Sequence, residues 1–486
     1  MLRRRIAIVL SLTTAAFAAG PITTEQRLSA LRKSPSELYA FLYKMPKGAD
    51  LHNHLAGAVY AENFLEAAIE QHLCVDKAAL SLVQCTQGRM DAAAIRTDNV
   101  LRNALIDSLS MRNFVPGKES AEDHFFDTFN KFLAVSTADL VAEIAQRAAD
   151  QNESYVELMA LDGGSAAALG QTAGLTDNLD LTRTKLEAAG LAKQVAAAKA
   201  RVDRMEQTRM NKLGCMQTPD SAACRLRVGY VYQVLREFPK EQVFAQVITG
   251  FALAAADRRV VAVNFVQPED GYNSMHDYDL HMKMVDYAKG IYPNVHITLH
   301  AGELAPGLVP PEGLQSHIRE AVELGHAERI GHGVDVMYEK DPIGLLRELR
   351  DRHVDVEINL TSNDVILGVK GDRHPLPVYR KFGVPVTLST DDEGVSRAQL
   401  TDEFERAFLT YNLTYTDLKE MVRNSLEYSF APGASYWKDR KYGAIVGACV
   451  SGKQTPACRE YLEKNEKARL EADLEERFAA FERTSN

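Results

Sequence analysis

Eight short apolar runs recur along the chain, and several end in residues that bind metals or carry protons. They are KGADLHNHL (47–55), ESYVELMA (153–160), RVGYVYQVL (227–235), RVVAVNFV (259–266), VHITLHAGE (295–303), RIGHGVDV (329–336), VDVEINLTS (354–362) and VPVTLSTDD (384–392). Helical patterns such as LQSHIREAVELG and PIGLLRELRDR separate them. Strands alternating with helices imply a parallel sheet with helical crossovers. Eight such units in a row predict an α/β fold of the (β/α)8 TIM-barrel type rather than an open doubly wound sheet.

Two connections are long for a barrel, 58–120 and 161–225, and each holds a pair of cysteines. The second contains LTRTKLEAAGLAKQVAAAKARVDRMEQTRMNKL, rich in helix formers. Both read as inserted helical elements or a lid, so residues 19–486 are expected to be one barrel domain with helical insertions. Residues 24–45 read as a leading helix, and the segment after Cys458 as a charged terminal helix.

The first residues read differently. Arg3, Arg4 and Arg5 precede the short apolar run IAIVLSLTTAAFAA, and Ala16-Phe17-Ala18 fits a small-x-small cleavage site. This predicts a signal peptide over 1–18 and export, to a periplasm or to the outside. The six cysteines agree. They fall into local pairs, Cys74 with Cys85, Cys215 with Cys224 and Cys449 with Cys458. An even count in an exported chain points to disulfides, and of the fifteen pairings possible for six cysteines only this one is local throughout. Each small loop stabilises by roughly 2–3 kcal/mol in the chain-entropy model. None of the pairs has the short spacing of a zinc-binding C-x-x-C.

The formal net charge of −10 comes without a visible basic patch, which argues against nucleic acid as a partner. After the leader no stretch reaches the roughly 20 apolar residues that span a bilayer, which argues against a membrane-spanning chain.

The chemistry sits at the predicted strand ends. His52 and His54 are two apart in LHNHL, which puts both imidazoles on one face of a strand. Neutral imidazoles at that spacing make half of a zinc site. His300 falls at the end of the fifth predicted strand, with Glu303 three residues on. GHG places His332 at the end of the sixth predicted strand, and Asp391-Asp392 end the eighth run. In a barrel the C-terminal strand ends converge on one face, where active sites lie.

Taken in order, LHNHLAG, LHAGE, RIGHG, INLTSN and STDD resemble the signature of the adenosine deaminase family. MPKGADLHNH, the leader and the cysteine-bearing segments resemble its secreted, growth-factor-related branch. LEYSFA, with Asn424 before it, is similar to the family's closing helix, so the resemblance spans roughly residues 45–430. It implies that His52, His54, His300 and Asp391 hold one Zn²⁺ per chain. Three imidazoles and a carboxylate leave such a metal one net positive charge, suited to lowering the pKa of water to about 7. The resemblance further implies that His332 orients that water and that Glu303 protonates the purine nitrogen beside the attacked carbon. For that task Glu303 needs a pKa raised by burial. Asp392, Gly302 and Gln267 are assigned to substrate binding, with Asp392 meeting the other purine ring nitrogen. The family places a phenylalanine-bearing helix over the purine. Phe125, Phe126, Phe129 and Phe132 in HFFDTFNKF form a stripe of which one or two members would line that pocket.

The implied reaction is hydrolytic loss of the 6-amino group of adenosine, and of 2′-deoxyadenosine, giving an inosine-type product and ammonia. The implied partner is thus a small-molecule purine nucleoside; these motifs do not set the oligomeric state. Two departures keep alternatives open. Ala56 stands where intracellular members carry an acid for the sugar 5′-hydroxyl, and Gln267 stands where the family has a glycine at the purine edge. A related zinc hydrolase acting on adenine, AMP or a modified aminopurine is one alternative. A non-catalytic zinc-binding or signalling protein on the same fold is another.

Overall fold

The structure is a computed structural model that describes residues 23–162 and 164–485. The expected leader lies outside the described residues. Eight strands form one sheet: β1 (Gly48–His54), β2 (Glu153–Asp162), β3 (Arg227–Leu235), β4 (Val260–Val266), β5 (His296–Ala301), β6 (Arg329–His332), β7 (Asp355–Ile358) and β8 (Val386–Leu388). Each pairs in parallel with the next in chain order. A parallel bridge between Asn53 and Asp391 brings the last strand end back to the first. There the Asp391 N–H donates to His52 O at 2.8 Å, and the His54 N–H to Asp391 O at 3.0 Å. The barrel is thus joined at its C-terminal rim through the residues expected to hold metal. The predicted (β/α)8 architecture is the one observed.

The strand sequences follow from two-sided burial. Every residue of β4, VVAVNFV, is buried, as a parallel strand between a packed interior and a helical shell requires. The later strands are shorter than their apolar runs. RIGHGVDV leaves the sheet at His332, whose φ of 69° turns the backbone left-handed. INLTSN leaves β7 after Ile358, and Leu360–Leu367 forms a helix.

Helix α1 (Ala121–Phe132) packs against the helix that follows β7. Phe125 and Phe132 are buried in the core, Phe132 stacked on Phe64 at 4.2 Å, whereas Phe126 and Phe129 are half-buried. The 58–120 connection holds, besides helices, a small antiparallel sheet of Cys74–Asp76, Ser81–Val83 and Met90–Asp91. The 161–225 connection is dominated by α2 (Leu191–Lys212). All three local cysteine pairs are disulfides and no described cysteine is free.

The leading helix is broken in two, Thr24–Ala30 and Pro35–Lys44, with a 3₁₀ turn between. Ser34 has φ −128° and ψ 75°, since the ring of a following proline disfavours the helical region for the residue before it. The charged tail forms helices Pro456–Lys464 and Glu466–Ser485.

Candidate active site

Below the rim the barrel interior holds a paired cluster of buried charges around Arg329. Arg329 on β6 is 1% exposed. Its Nη2 donates to Glu157 at 2.6 Å, its Nε to Glu357 Oε1 at 2.5 Å and its Nη1 to Tyr428 O at 3.0 Å. Glu157 also accepts from the Phe430 N–H, and the Phe430 ring lies 3.9 Å under the guanidinium. The LEYSFA segment therefore closes the barrel from beneath, while Asn424 donates to Val386 O at 2.9 Å. Burial pushes the Glu357 carboxyl up, but Arg329 and His52 outweigh it and hold the group at about 2.

Glu357 connects this cluster to the rim. Its Oε2 accepts from His52 Nδ1 at 2.6 Å. The other two histidines of the set have oxygens in the same place: His54 Nδ1 meets Gln233 Oε1 at 3.2 Å and His300 Nδ1 meets Asn264 Oδ1 at 3.0 Å. An Nδ1–H that donates leaves its Nε2 as a lone pair. The three Nε2 atoms converge, His52 on His300 at 3.0 Å and His54 on His300 at 3.2 Å. Asp391 Oδ1 lies 3.4 Å from His52 Nε2 and 3.3 Å from His54 Nε2, while Ser362 Oγ holds its Oδ2 at 2.6 Å.

Three lone pairs and a carboxylate in van der Waals contact repel one another unless positive charge lies between them. Burial lowers the proton affinity of His52, yet Asp391 and Glu357 outweigh it and raise its pKa to about 10. One proton satisfies one nitrogen–nitrogen contact; a divalent cation satisfies all four atoms. Ligand atoms about 2.0–2.1 Å from a tetrahedral zinc lie about 3.3–3.4 Å apart, and the four contacts His52–His300, His54–His300, His52–Asp391 and His54–Asp391, at 3.0 to 3.4 Å, lie close to that spacing. The donor set therefore fits zinc. By mutual distance His332 groups with His52, His300 and Asp391 as potential ligands, and His54 groups with Asp391 and Asp392. However, His332 Nε2 stands 3.8 Å from Asp391 Oδ2, outside the tight group.

Glycines make the packing possible. A Cβ on Gly331 would come within 2.6 Å of the His52 ring, and one on Gly57 within 1.5 Å of Asp392 Oδ1. LHNHLAG thus supplies both imidazoles and, through Gly57, room for a carboxylate from the last strand end, adjacent at the rim though far along the chain. His332, Asp391 and Gln267 all have positive φ, 69°, 62° and 84°. Non-glycine residues rarely adopt this conformation, and such strain concentrates at functional sites.

Glu303 is 7% exposed and its Oε1 is 3.6 Å from His332 Nδ1. Burial first, then the Asp391 charge, push its carboxyl well above the usual range. The same two causes push up Asp392. Burial lowers His332 to about 3, leaving it neutral. Both Asp392 Oδ1 and His332 Nε2 are buried without a hydrogen-bond partner among the described residues. Protonated carboxyls beside neutral imidazoles are the equipment for moving protons onto and off a bound base.

The backbone of the HAGE loop is clamped by Glu269, which accepts from the Gly302 N–H at 3.0 Å, the Glu303 N–H at 2.8 Å and His317 Nδ1 at 2.6 Å. Gln267 takes the backbone shape of a glycine. Its side chain turns away to accept the Glu237 N–H at 3.0 Å, and Arg236 donates to its carbonyl at 2.9 Å. Ala56, on the short helix after His54, is half-buried against the core.

The supporting residues Glu357, Asn264, Gln233, Ser362 and Glu269 were not singled out from sequence. A signal existed for Glu357 and Asn264. Asn264 is the single polar residue of β4, and Glu357 lies between Val356 and Ile358 in β7; a polar residue so placed in a barrel strand marks a side chain pointing inward.

A family model described as adenosine deaminase matches residues 107–438. An adenosine deaminase of Clostridium perfringens is 32% identical over 204 residues, 42% of this chain and 52% of that protein. The adenosine deaminase of Vibrio atlanticus is 28% identical over 217 residues, 42% and 57% of the two. The chain thus spans about half the length of the curated relatives it matches. Among solved structures, an amidohydrolase from Burkholderia ambifaria with bound zinc superposes with a TM-score of 0.57 at 17% identity, covering 97% of each chain. The Arabidopsis N6-mAMP deaminase gives 0.52 at 18% identity, over 81% of this chain and 96% of that one. At such identities the superpositions speak for the shared barrel. The family match covers more than half of the chain, and the protein belongs to the adenosine deaminase family.

Proposed function

We propose that this protein is a zinc-dependent hydrolytic deaminase of an adenosine-like purine nucleoside. The observation that carries the reading is the convergence of His52, His54 and His300 Nε2 with Asp391 Oδ1, beside the buried, raised carboxyls of Glu303 and Asp392. Curated relatives named adenosine deaminase, and a zinc-bound neighbour of the same fold, support it.

His52, His54, His300 and Asp391 would hold the zinc. When bound, it supplies a Lewis acid that lowers the pKa of water to about 7. The protein's own groups do the rest. Glu303, kept protonated by burial, delivers a proton to the ring nitrogen next to the amino-bearing carbon, which makes that carbon electrophilic. His332 Nε2 faces the same space and orients the attacking water. Asp392 meets the opposite ring nitrogen. A carbon–oxygen bond forms, the carbon–nitrogen bond to the 6-amino group breaks, and ammonia leaves with one proton of the attacking water while the other restores the Glu303 carboxyl.

Ala56 provides no carboxylate for the sugar 5′-hydroxyl, so the sugar end of the substrate is the open part of this reading. A nucleotide or N6-modified aminopurine is the second reading, favoured by Ala56 and by the N6-mAMP deaminase among the fold's neighbours. The three disulfides support an oxidising location, which agrees with export through the leader at 1–18 and with the growth-factor-related branch. Purified protein mixed in turn with adenosine, 2′-deoxyadenosine, adenine, AMP and N6-methyl-AMP gives the test. An ultraviolet absorbance change with the two nucleosides is expected. Turnover of AMP or N6-methyl-AMP alone would replace the first reading by the second, and no turnover of any purine would end both.

A further inference from the structure

We propose that Asn363 and His374 are positioning residues that lock His332 as the tautomer protonated on Nε2, and so make it a hydrogen-bond donor toward the reacting oxygen. Both lie behind the rim, on the far side of His332 from the ligand set, and both are buried.

A chain of hydrogen bonds leads inward from the backbone. The Leu376 N–H donates to His374 Nδ1 at 3.1 Å. Leu376 opens the helix Leu376–Phe382, so its amide belongs to the first turn and has no partner within the helix. A backbone amide can only donate, so His374 Nδ1 must accept. A neutral imidazole that accepts on Nδ1 carries its proton on Nε2. His374 Nε2 lies 3.1 Å from Asn363 Oδ1 and donates to it. This sets the orientation of the Asn363 amide, because the flipped amide would turn its NH₂ against the His374 N–H. The Asn363 Nδ2 then faces His332 Nδ1 at 2.9 Å and donates. Asn359 Nδ2 approaches the same nitrogen at 3.5 Å, a second and weaker donor. Glu303 Oε1 is 3.6 Å from it, beyond hydrogen-bond length.

The polarity is therefore fixed from the Leu376 amide to the far edge of the His332 ring. His332 accepts on Nδ1 and carries its proton on Nε2, which is buried, aimed toward the Asp391 side of the site and without a protein partner among the described residues. An Nε2–H donates to a nucleophilic oxygen or to the charge that develops on it; an Nε2 lone pair would instead repel that charge. His374 is thus tied to the reacting centre through two side chains while touching none of the metal ligands.

The test uses zinc-loaded protein labelled with ¹⁵N-histidine. Long-range ¹H–¹⁵N correlations of the rings, with His332 assigned by loss of its signals in His332→Asn, should show its proton on Nε2. Asn363→Asp puts in a carboxylate that still accepts from His374 but also accepts from His332 Nδ1, reversing the tautomer. The His332 proton should move to Nδ1 while zinc content and Tm stay near those of the unmodified protein. On the deaminase reading kcat should fall by about 10²-fold, as when one donor to a developing oxyanion is removed. His374→Gln, which keeps a donor in place of Nε2, should retain most of the activity, and His374→Leu should lose much of it. A His332 proton on Nδ1 in the unmodified protein would overturn the proposal. So would an Asn363→Asp variant with the tautomer reversed and kcat unchanged. The spectra need no substrate, so a failure of the deaminase reading shows separately, and should Asn363→Asp not fold, the unmodified protein's spectrum still decides.

Discussion

The barrel interior and the barrel rim are both crowded with buried charge, yet they are built in opposite ways. In the interior, Arg329, Glu157 and Glu357 satisfy one another and the backbone around them. At the rim, three imidazole lone pairs face one another, His332 Nε2 and Asp392 Oδ1 have no protein partner among the described residues, and His332, Asp391 and Gln267 sit in left-handed conformations. Unpaired buried polar groups are expensive, and backbone strain adds to the cost. A protein retains such features where a ligand, rather than another part of the chain, completes them. The comparison thus separates charge that serves the fold from charge that serves chemistry, with Glu357 belonging to both through Arg329 and His52.

The largest effect should come from taking a member out of the rim. On the proposed zinc-deaminase reading, His300→Ala should lose most of its zinc, by metal analysis of the purified variant, and more than about 10³-fold in deamination rate, since the activated water would go with the metal. A variant that kept full zinc and rate would place the metal elsewhere. In the interior, Arg329→Met leaves two carboxylates buried without their cation. It should lower stability by about 3–5 kcal/mol in denaturant unfolding. A Tm close to that of the unmodified protein would show that the interior cluster is not the structural half of the pair.

Glu303→Gln sharpens the contrast inside the rim itself. The amide keeps shape but holds no transferable proton, so zinc and fold should persist while kcat falls by at least about 10²-fold. The sign of the pH dependence follows. In the proposed role Glu303 acts as a protonated acid, and its pKa is raised by burial, so kcat/KM should decline as pH rises through that raised value. This alkaline limb should be absent from whatever activity remains in Glu303→Gln; a limb that persists in the variant belongs to another group. The smallest effect lies far from both regions. Replacing Cys215 and Cys224 by serine should lower stability by roughly 2–3 kcal/mol and leave kcat unchanged. A loss of activity there would tie the 161–225 segment to the site.

The sequence by itself determined the barrel, because eight apolar runs alternating with helical patterns admit few other parallel arrangements. It also brought the candidate site residues together, because His52, His54, His300, His332, Glu303, Asp391 and Asp392 all fall near the ends of the predicted strands, where the topology converges. The cysteine pairs were legible for a similar reason, each closing a short local loop. What only the tertiary structure decided is everything that depends on contact across the barrel. Glu357 and His52 are 305 residues apart and meet at 2.6 Å, and Gly57 matters because Asp392 lies against it. The Ser34–Pro35 break was readable from the proline rule and was overridden by the helical pattern around it. The turn of Gln267 into a glycine-like conformation was not readable, since the guanidinium and the backbone N–H that hold it come from Arg236 and Glu237, next to it only once β3 and β4 have paired. Periodicity and composition act along the chain, whereas the protonation state of a buried carboxyl and the tautomer of a histidine are set by whichever groups the fold brings within hydrogen-bond reach.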